Sequence, residues 1–275
     1  MVHEAARANG PRVPEFLGQP GPSAYHRLNP LTKLVIALVT AAAAVILGGV
    51  LWPSFIVGLM VLIPAALSGV LRELLRFSIL FSLPIAISVL LVNVFFFPGG
   101  QTILFQLGPI TATAEGLAFS IEILARILAI SGAITLFYLT TKPSHLVLDL
   151  EHRGVSPRIA FVANASVQTV PAMAERAQAI VAAQRARGLD TEGSLARRLR
   201  GIVPIVGPVV LGAIAEVEER SMALEARAFS RPGRRSLLWS PPDAGWQRLL
   251  RWLLFIGLVA LVIGRASGLL RMVGI

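Results

Sequence analysis

Two arginines recur in near-copies of one tripeptide. Ala186-Arg187-Gly188 and Ala226-Arg227-Ala228 place Arg187 and Arg227 40 positions apart, each at the end of a helical pattern. A guanidinium is planar, permanently charged and carries five donors in a rigid fork, so it suits the capture of carboxylates in a partner's groove. Small neighbours let a helix tip enter such a groove. The helix macrodipole also favours a cation at a C-terminus, and that alone accounts for either arginine taken singly. Their recurrence at the ends of consecutive polar helices is what points to binding.

Groups for bond-making chemistry do not converge. The four histidines (His3, His26, His145, His152) are scattered, and there is neither a His-Glu-x-x-His segment nor an Asp-rich diad. Asp149, Glu151 and His152 are close in sequence, but a metal site needs ligands that meet in space, so they read as a polar turn. No cysteine is present, so disulfides and thiolate metal sites are excluded. The two lysines, Lys33 and Lys142, lie outside any G-x-x-x-x-G-K-[ST] context, so the chain has no phosphate-binding loop of that type and is not expected to hydrolyse ATP. Glu122 and Arg126 are four residues apart and share one helix face. Within an apolar segment they read as a structural ion pair facing other helices, with contact to a second membrane subunit as the alternative and a substrate site as a minor one.

The elements that carry these groups belong to a membrane protein. Of 275 residues, 55% are hydrophobic and only 15% charged, against about 25% in soluble domains. The net charge of +10 does not indicate nucleic-acid binding, because the charges cluster on one set of loops, as topology signals do. No cleavable signal peptide is expected, since the first apolar run begins near Leu31.

Residues 1–24, rich in Pro, Gly and polar groups, read as a disordered cytoplasmic tail. Residues 25–140 read as a four-span bundle. Asn29-Pro30 is a helix start, a capping side chain followed by proline at the first position. Leu34 to Leu71 is uncharged for 38 residues, too long for one crossing of about 20. Gly48-Gly49 and Trp52-Pro53 divide it, and Arg72, Glu73 and Arg76 close the second span. A third span runs from Phe77 to Phe97, then a turn at Pro98-Gly99-Gly100 and an uncharged loop through Gly108-Pro109. The fourth runs from about Thr113 to Thr140. Residues 141–245 read as a cytoplasmic coupling-helix region with Lys142 and 13 arginines. Residues 246–275 hold a last span, about Leu249 to Leu270, in which Arg251 and Arg265 snorkel to the interfaces. The positive charges put the N-terminus in the cytoplasm and the C-terminus outside.

The region between carries two amphipathic arms. The first, Ser166 to Gly188, has Val167, Val170, Ala174, Ala177, Val181 and Ala182 at helical spacing and ends at a glycine. The second, Ile202 to Ala228, begins apolar and ends charged. Arg197-Arg198-Leu199-Arg200 lies between them, suited to lipid headgroups or simply solvated. The fold class is therefore all-α: a polytopic helical membrane protein with about five transmembrane helices and two long cytoplasmic amphipathic helices.

The chain resembles the transmembrane coupling subunit, or T component, of energy-coupling factor transporters, the importers of vitamins and transition metals. The resemblance covers about Tyr25 to Ser230. It is carried by His26-Arg27-Leu28-Asn29-Pro30-Leu31-Thr32-Lys33-Leu34, by Glu115-Gly116-Leu117 with Arg126, by Thr140-Thr141-Lys142-Pro143, by Gly154-Val155-Ser156-Pro157-Arg158, and by the two arginine motifs. Ala228 departs mildly from a family in which glycine is also common there. The resemblance implies that two ABC-type ATPases dock in the cytoplasm, one on Ala186-Arg187-Gly188 and one on Ala226-Arg227-Ala228. It implies that they bind the ATP, so that this chain needs no cofactor. It further implies a small integral-membrane substrate-binding protein, the S component, held by arm residues such as Val170, Val181, Val206, Val209 and Ile214. The bilayer of the cell membrane is the remaining partner. Competing readings are a membrane-embedded enzyme, which needs convergent catalytic groups, and a self-sufficient permease, which needs paired broken helices with polar groups at mid-membrane.

Overall fold

The computed structural model describes residues 23–98, 101–107, 110–188, 195–229, 231 and 242–268. The expected N-terminal tail lies outside them up to residue 22, as do Gly99-Gly100, Gly108-Pro109 and the end of the last span beyond residue 268. The chain divides into two compact units, one built on Leu150–Ser240 and the other on Pro14–Asp149 with Pro241–Ile275.

The apolar unit begins with α1 (Pro30–Ile46). The Asn29 side chain accepts from the Leu31 N–H at 2.9 Å, as a cap should. α2 (Leu51–Leu67) follows and contains a π-helical stretch at Gly58–Leu62. α3 (Leu71–Phe96) carries Pro84 in its interior. α4 (Ala114–Thr140) starts on the Thr113 side chain, whose oxygen accepts from the Gly116 N–H. α3, α4 and the last helix, α8 (Gly245–Ala266), are long and apolar enough to cross a bilayer. α1 and α2, 17 residues each, sit at the lower end of the roughly 17–25 residues a crossing takes. Together they make the five expected helices. Leu80, Phe81, Leu83 and Ile85 of α3 and Trp252, Leu253, Phe255 and Ile256 of α8 are all exposed, a surface suited to lipid and costly in water.

The core of this unit joins Ala37 of α1, Val61 and Ala65 of α2, Leu74 of α3, and Ala133, Leu136 and Leu139 of α4. α3 and α4 run antiparallel, and small residues let them approach. A Cβ on Gly116 would lie 2.2 Å from the Asn93 carbonyl oxygen, and Ser131 donates to the Ser78 carbonyl at 3.3 Å.

Several expected boundaries move. Arg72, Glu73 and Arg76 do not close the second span; they open α3, after a turn at Ser68–Val70. The uncharged loop holds a two-stranded antiparallel hairpin, β1 (Ile103–Leu107) and β2 (Ile110–Thr113), a small exception to an otherwise helical fold. α8 begins four residues before the expected Leu249 and ends at Ala266.

Arg251 does not snorkel. It is buried, donating to Thr32 Oγ1 at 2.8 Å and to both oxygens of Asp243 at 2.9 and 3.1 Å. These partners replace the water it would otherwise seek. Gln247 Oε1 accepts from the Asn29 N–H at 2.9 Å and from Thr32 Oγ1 at 3.3 Å. Lys33 Nζ donates to the carbonyls of His26 (3.1 Å) and Thr140 (2.8 Å) and stands over the Tyr25 ring. Burial raises the Tyr25 phenol above its ordinary range. Burial, then the nearby Lys33, lowers His26; burial, then Lys142 and Lys33, lowers His145.

The polar unit is built on two long helices, α6 (Pro157–Ala186) and α7 (Leu195–Ala226), preceded by the short α5 (Pro143–His152). α6 starts nine residues before the expected Ser166, because Pro157 occupies the first helical position after Ser156. α7 starts at Leu195, not Ile202, and takes in Arg197-Arg198-Leu199-Arg200, which were expected between the arms.

A helix pair with an arginine at each end

α6 and α7 pack antiparallel, and their contacts form a regular ladder. Phe161 meets Phe229, with ring centroids 5.0 Å apart. Arg220 donates to Thr169 Oγ1 at 3.4 Å. Arg176 donates to Glu216 at 2.7 Å and to the Gly212 carbonyl at 3.5 Å. Gln184 donates to the Pro204 carbonyl at 3.4 Å. Glu216 is the centre of this ladder, since its other oxygen accepts from Arg220 at 2.8 Å. One carboxylate thus holds a guanidinium from each helix. Exposed pairs of this kind contribute only about 0.2–1 kcal/mol each, so the ladder sets register more than it adds stability.

Antiparallel pairing sends the two C-termini apart. Arg187 follows Gln184 and lies at the Pro204 end; Arg227 precedes Phe229 and lies at the Phe161 end. The contacts between Phe161 and Gln184 extend over about 35 Å of helix at about 1.5 Å per residue. Both arginines are exposed.

The two ends terminate alike. Gly188 takes φ +90 and Ala228 φ +55, the left-handed conformation that closes a helix. After α7 the Phe229 N–H donates to the Leu224 carbonyl at 2.9 Å and the Ala228 N–H to the Glu225 carbonyl at 2.9 Å. Phe229 then packs on Phe161. Each motif therefore presents its arginine at the last helical turn, with a small residue where the chain reverses. Beside Arg227 a groove of about 250 Å³ is lined by Phe161, Asn164, Gln168, Arg220 and Leu224.

The arm valines divide between two faces. Val170, Val206 and Ile214 are exposed; Val181 and Val209 are half-buried, on the rows that face the other helix. Val210 and Val217 complete the exposed row Val206-Val210-Ile214-Val217. Sequence reasoning missed them because the first half of α7 is apolar all round. In the apolar unit Glu122 and Arg126 form an ion pair within α4, and Glu122 also accepts from the Gly49 N–H at 2.8 Å. Among the described residues no three His, Asp or Glu side chains gather as a metal site.

Fold and site together define a polytopic helical membrane protein that carries an antiparallel pair of long helices, each ending in an exposed arginine. The family described as cobalt transport protein, CbiQ, matches residues 21–237. The chain is 30% identical over 243 residues to the energy-coupling factor transporter transmembrane protein EcfT of Streptococcus equi subsp. equi (strain 4047), spanning 82% of this chain and 87% of that one. It is 28% identical over 243 residues to the EcfT of Lactococcus lactis subsp. cremoris (strain MG1363), spanning 82% and 89%. With the EcfT of Heliobacterium modesticaldum (strain ATCC 51547 / Ice1) it shares 30% over 243 residues, 82% and 90% of the two chains. The chain belongs to the CbiQ family and is a transmembrane, or T, component of an energy-coupling factor transporter.

Proposed function

We propose that this T component transmits ATP-driven motion from two cytoplasmic ABC-type ATPases to a small membrane-embedded S component that carries a vitamin or a transition metal. The arginine motif around Arg187 docks on one ATPase and that around Arg227 on the other. The ATPases bind and hydrolyse the ATP, and this chain contributes no catalytic group. The protein resides in the cell membrane with its N-terminus in the cytoplasm. The observation that carries this reading is the separation of the two arginines to opposite ends of one helix pair. Two like ends about 35 Å apart suit two like partners side by side. A bundle moving cargo unaided has no use for them.

A detergent pull-down with bound proteins identified by mass spectrometry tests it. The wild type should retain ABC-type ATPases and a small membrane protein, and the Arg187→Glu/Arg227→Glu double variant should lose the ATPases. If no ATPase accompanies the wild type, the reading fails.

A further inference from the structure

The root of α6 has an arrangement that docking does not use. α5 ends at His152, Gly154 follows with φ +106, and α6 starts at Pro157. Asp149 is the one buried residue of α5. Its Oδ1 accepts from Asn29 Nδ2 at 2.9 Å. Asn29 is wholly buried, caps α1 through its side-chain oxygen, and donates its N–H to Gln247 of α8. Gln247 also accepts from Thr32, which Arg251 holds in turn. The short helix leading into α6 is thus tied by a directed bond to the first and last membrane helices.

Stability alone does not call for such a pair. Apolar residues of similar size often match or better a buried polar contact. A hydrogen bond adds direction and length, and so selects one register where an apolar contact permits sliding. We propose that Asn29 and Asp149 form a positioning joint. It holds α5 in a single register on α1, so that displacement of α6 passes into the membrane helices and is not absorbed at α5. The consequence for transport rests on the docking function proposed above; the joint itself does not.

The absence of native cysteine allows spin labels at Arg27→Cys before α1 and Ser144→Cys on α5, the first exposed and the second half-buried, in the full chain in lipid nanodiscs. The wild type should give one narrow distance distribution. Asn29→Leu/Asp149→Leu should broaden the distribution roughly twofold, since apolar packing is retained and register lost, while its melting midpoint falls only as far as loss of the α1 cap requires. Asn29→Asp sets two carboxylates face to face and should broaden it as well. Asn29→Asp/Asp149→Asn exchanges donor and acceptor and should restore the narrow form. A double-leucine variant as narrow as the wild type overturns the joint. If that variant does not fold, the exchange decides: a swapped pair no narrower than Asn29→Asp overturns it. No ATPase enters this measurement, so its failure is separate from failure of the docking function.

Discussion

Arg187 and Arg227 occupy opposite ends of one antiparallel helix pair, with the Gln184–Pro204 contact beside the first and the Phe161–Phe229 contact beside the second. Each should therefore act on a different ATPase. Arg187→Ala and Arg227→Ala should each weaken one docking event by about 2 kcal/mol, roughly 30-fold, as for a central interface arginine. Native mass spectrometry should find one ATPase per T component in either single variant and none in the double. Loss of both ATPases from a single variant would mean that the two ends act as one site.

Ala228 sits at φ +55, where an L side chain is strained and glycine is not. The left-handed conformation costs an alanine about 1–2 kcal/mol, and the freer unfolded glycine returns part of that. Ala228→Gly should raise stability by about 1 kcal/mol, seen as a melting midpoint a few degrees higher. Ala228→Val should lower it. An unchanged midpoint in both would show that the reversal after α7 relaxes freely.

How far the chain could be read from sequence depends on whether a boundary has its own local signal. Asn29-Pro30 and Thr113 cap helices, and Gly188 ends one, so those limits were legible. The start of α6 was not, because Pro157 opens a helix as readily as it ends a turn. The start of α7 was hidden in an arginine-rich stretch that helices and loops tolerate equally. Arg251 could not be placed, since Thr32 is 219 positions away and burial of a charge is decided by such partners. The outward face of α7 escaped because the apolar half from Ile202 to Ala215 has no polar residue to mark its sides.

Gly116 meets the Asn93 carbonyl oxygen so closely that an added Cβ would stand 2.2 Å from it, with Thr113 Oγ1 at 2.9 Å. Backbone on one side and the helix cap on the other cannot both yield. Gly116→Ala should destabilise the apolar unit by about 1–3 kcal/mol, the usual range for overpacking. A lower melting midpoint in detergent checks this. Gly58→Ala, where no atom lies within 4 Å of the added carbon, is the control.

His26 and His145 are both held below the ordinary imidazole range by burial and neighbouring lysines. The unfolded chain therefore binds more protons as the pH falls below about 6.5, so their contribution is fully present above that value and is lost on acidification. The melting midpoint should fall between about pH 7.5 and about pH 5.5, and His26→Gln/His145→Gln should reduce the fall. An identical pH dependence in the double variant would assign the effect to other groups.

Val206, Val210, Ile214 and Val217 recur at intervals of four, four and three, which aligns them on one face of α7, and all four are exposed. A separate row, Gly212, Glu216 and Arg220, makes the contacts to α6. An apolar row rimmed by charge marks an interaction surface, and in the function proposed above the S component would be the partner that meets it. Val210→Asp/Ile214→Asp adds two charges to this row at positions that are not three or four residues from Gly212, Glu216 or Arg220, so the contacts to α6 and both arginines are left in place. The small membrane protein should be lost from the detergent complex while both ATPases remain. Loss of the ATPases instead would assign this row to ATPase docking, and retention of all partners would leave it facing lipid or solvent.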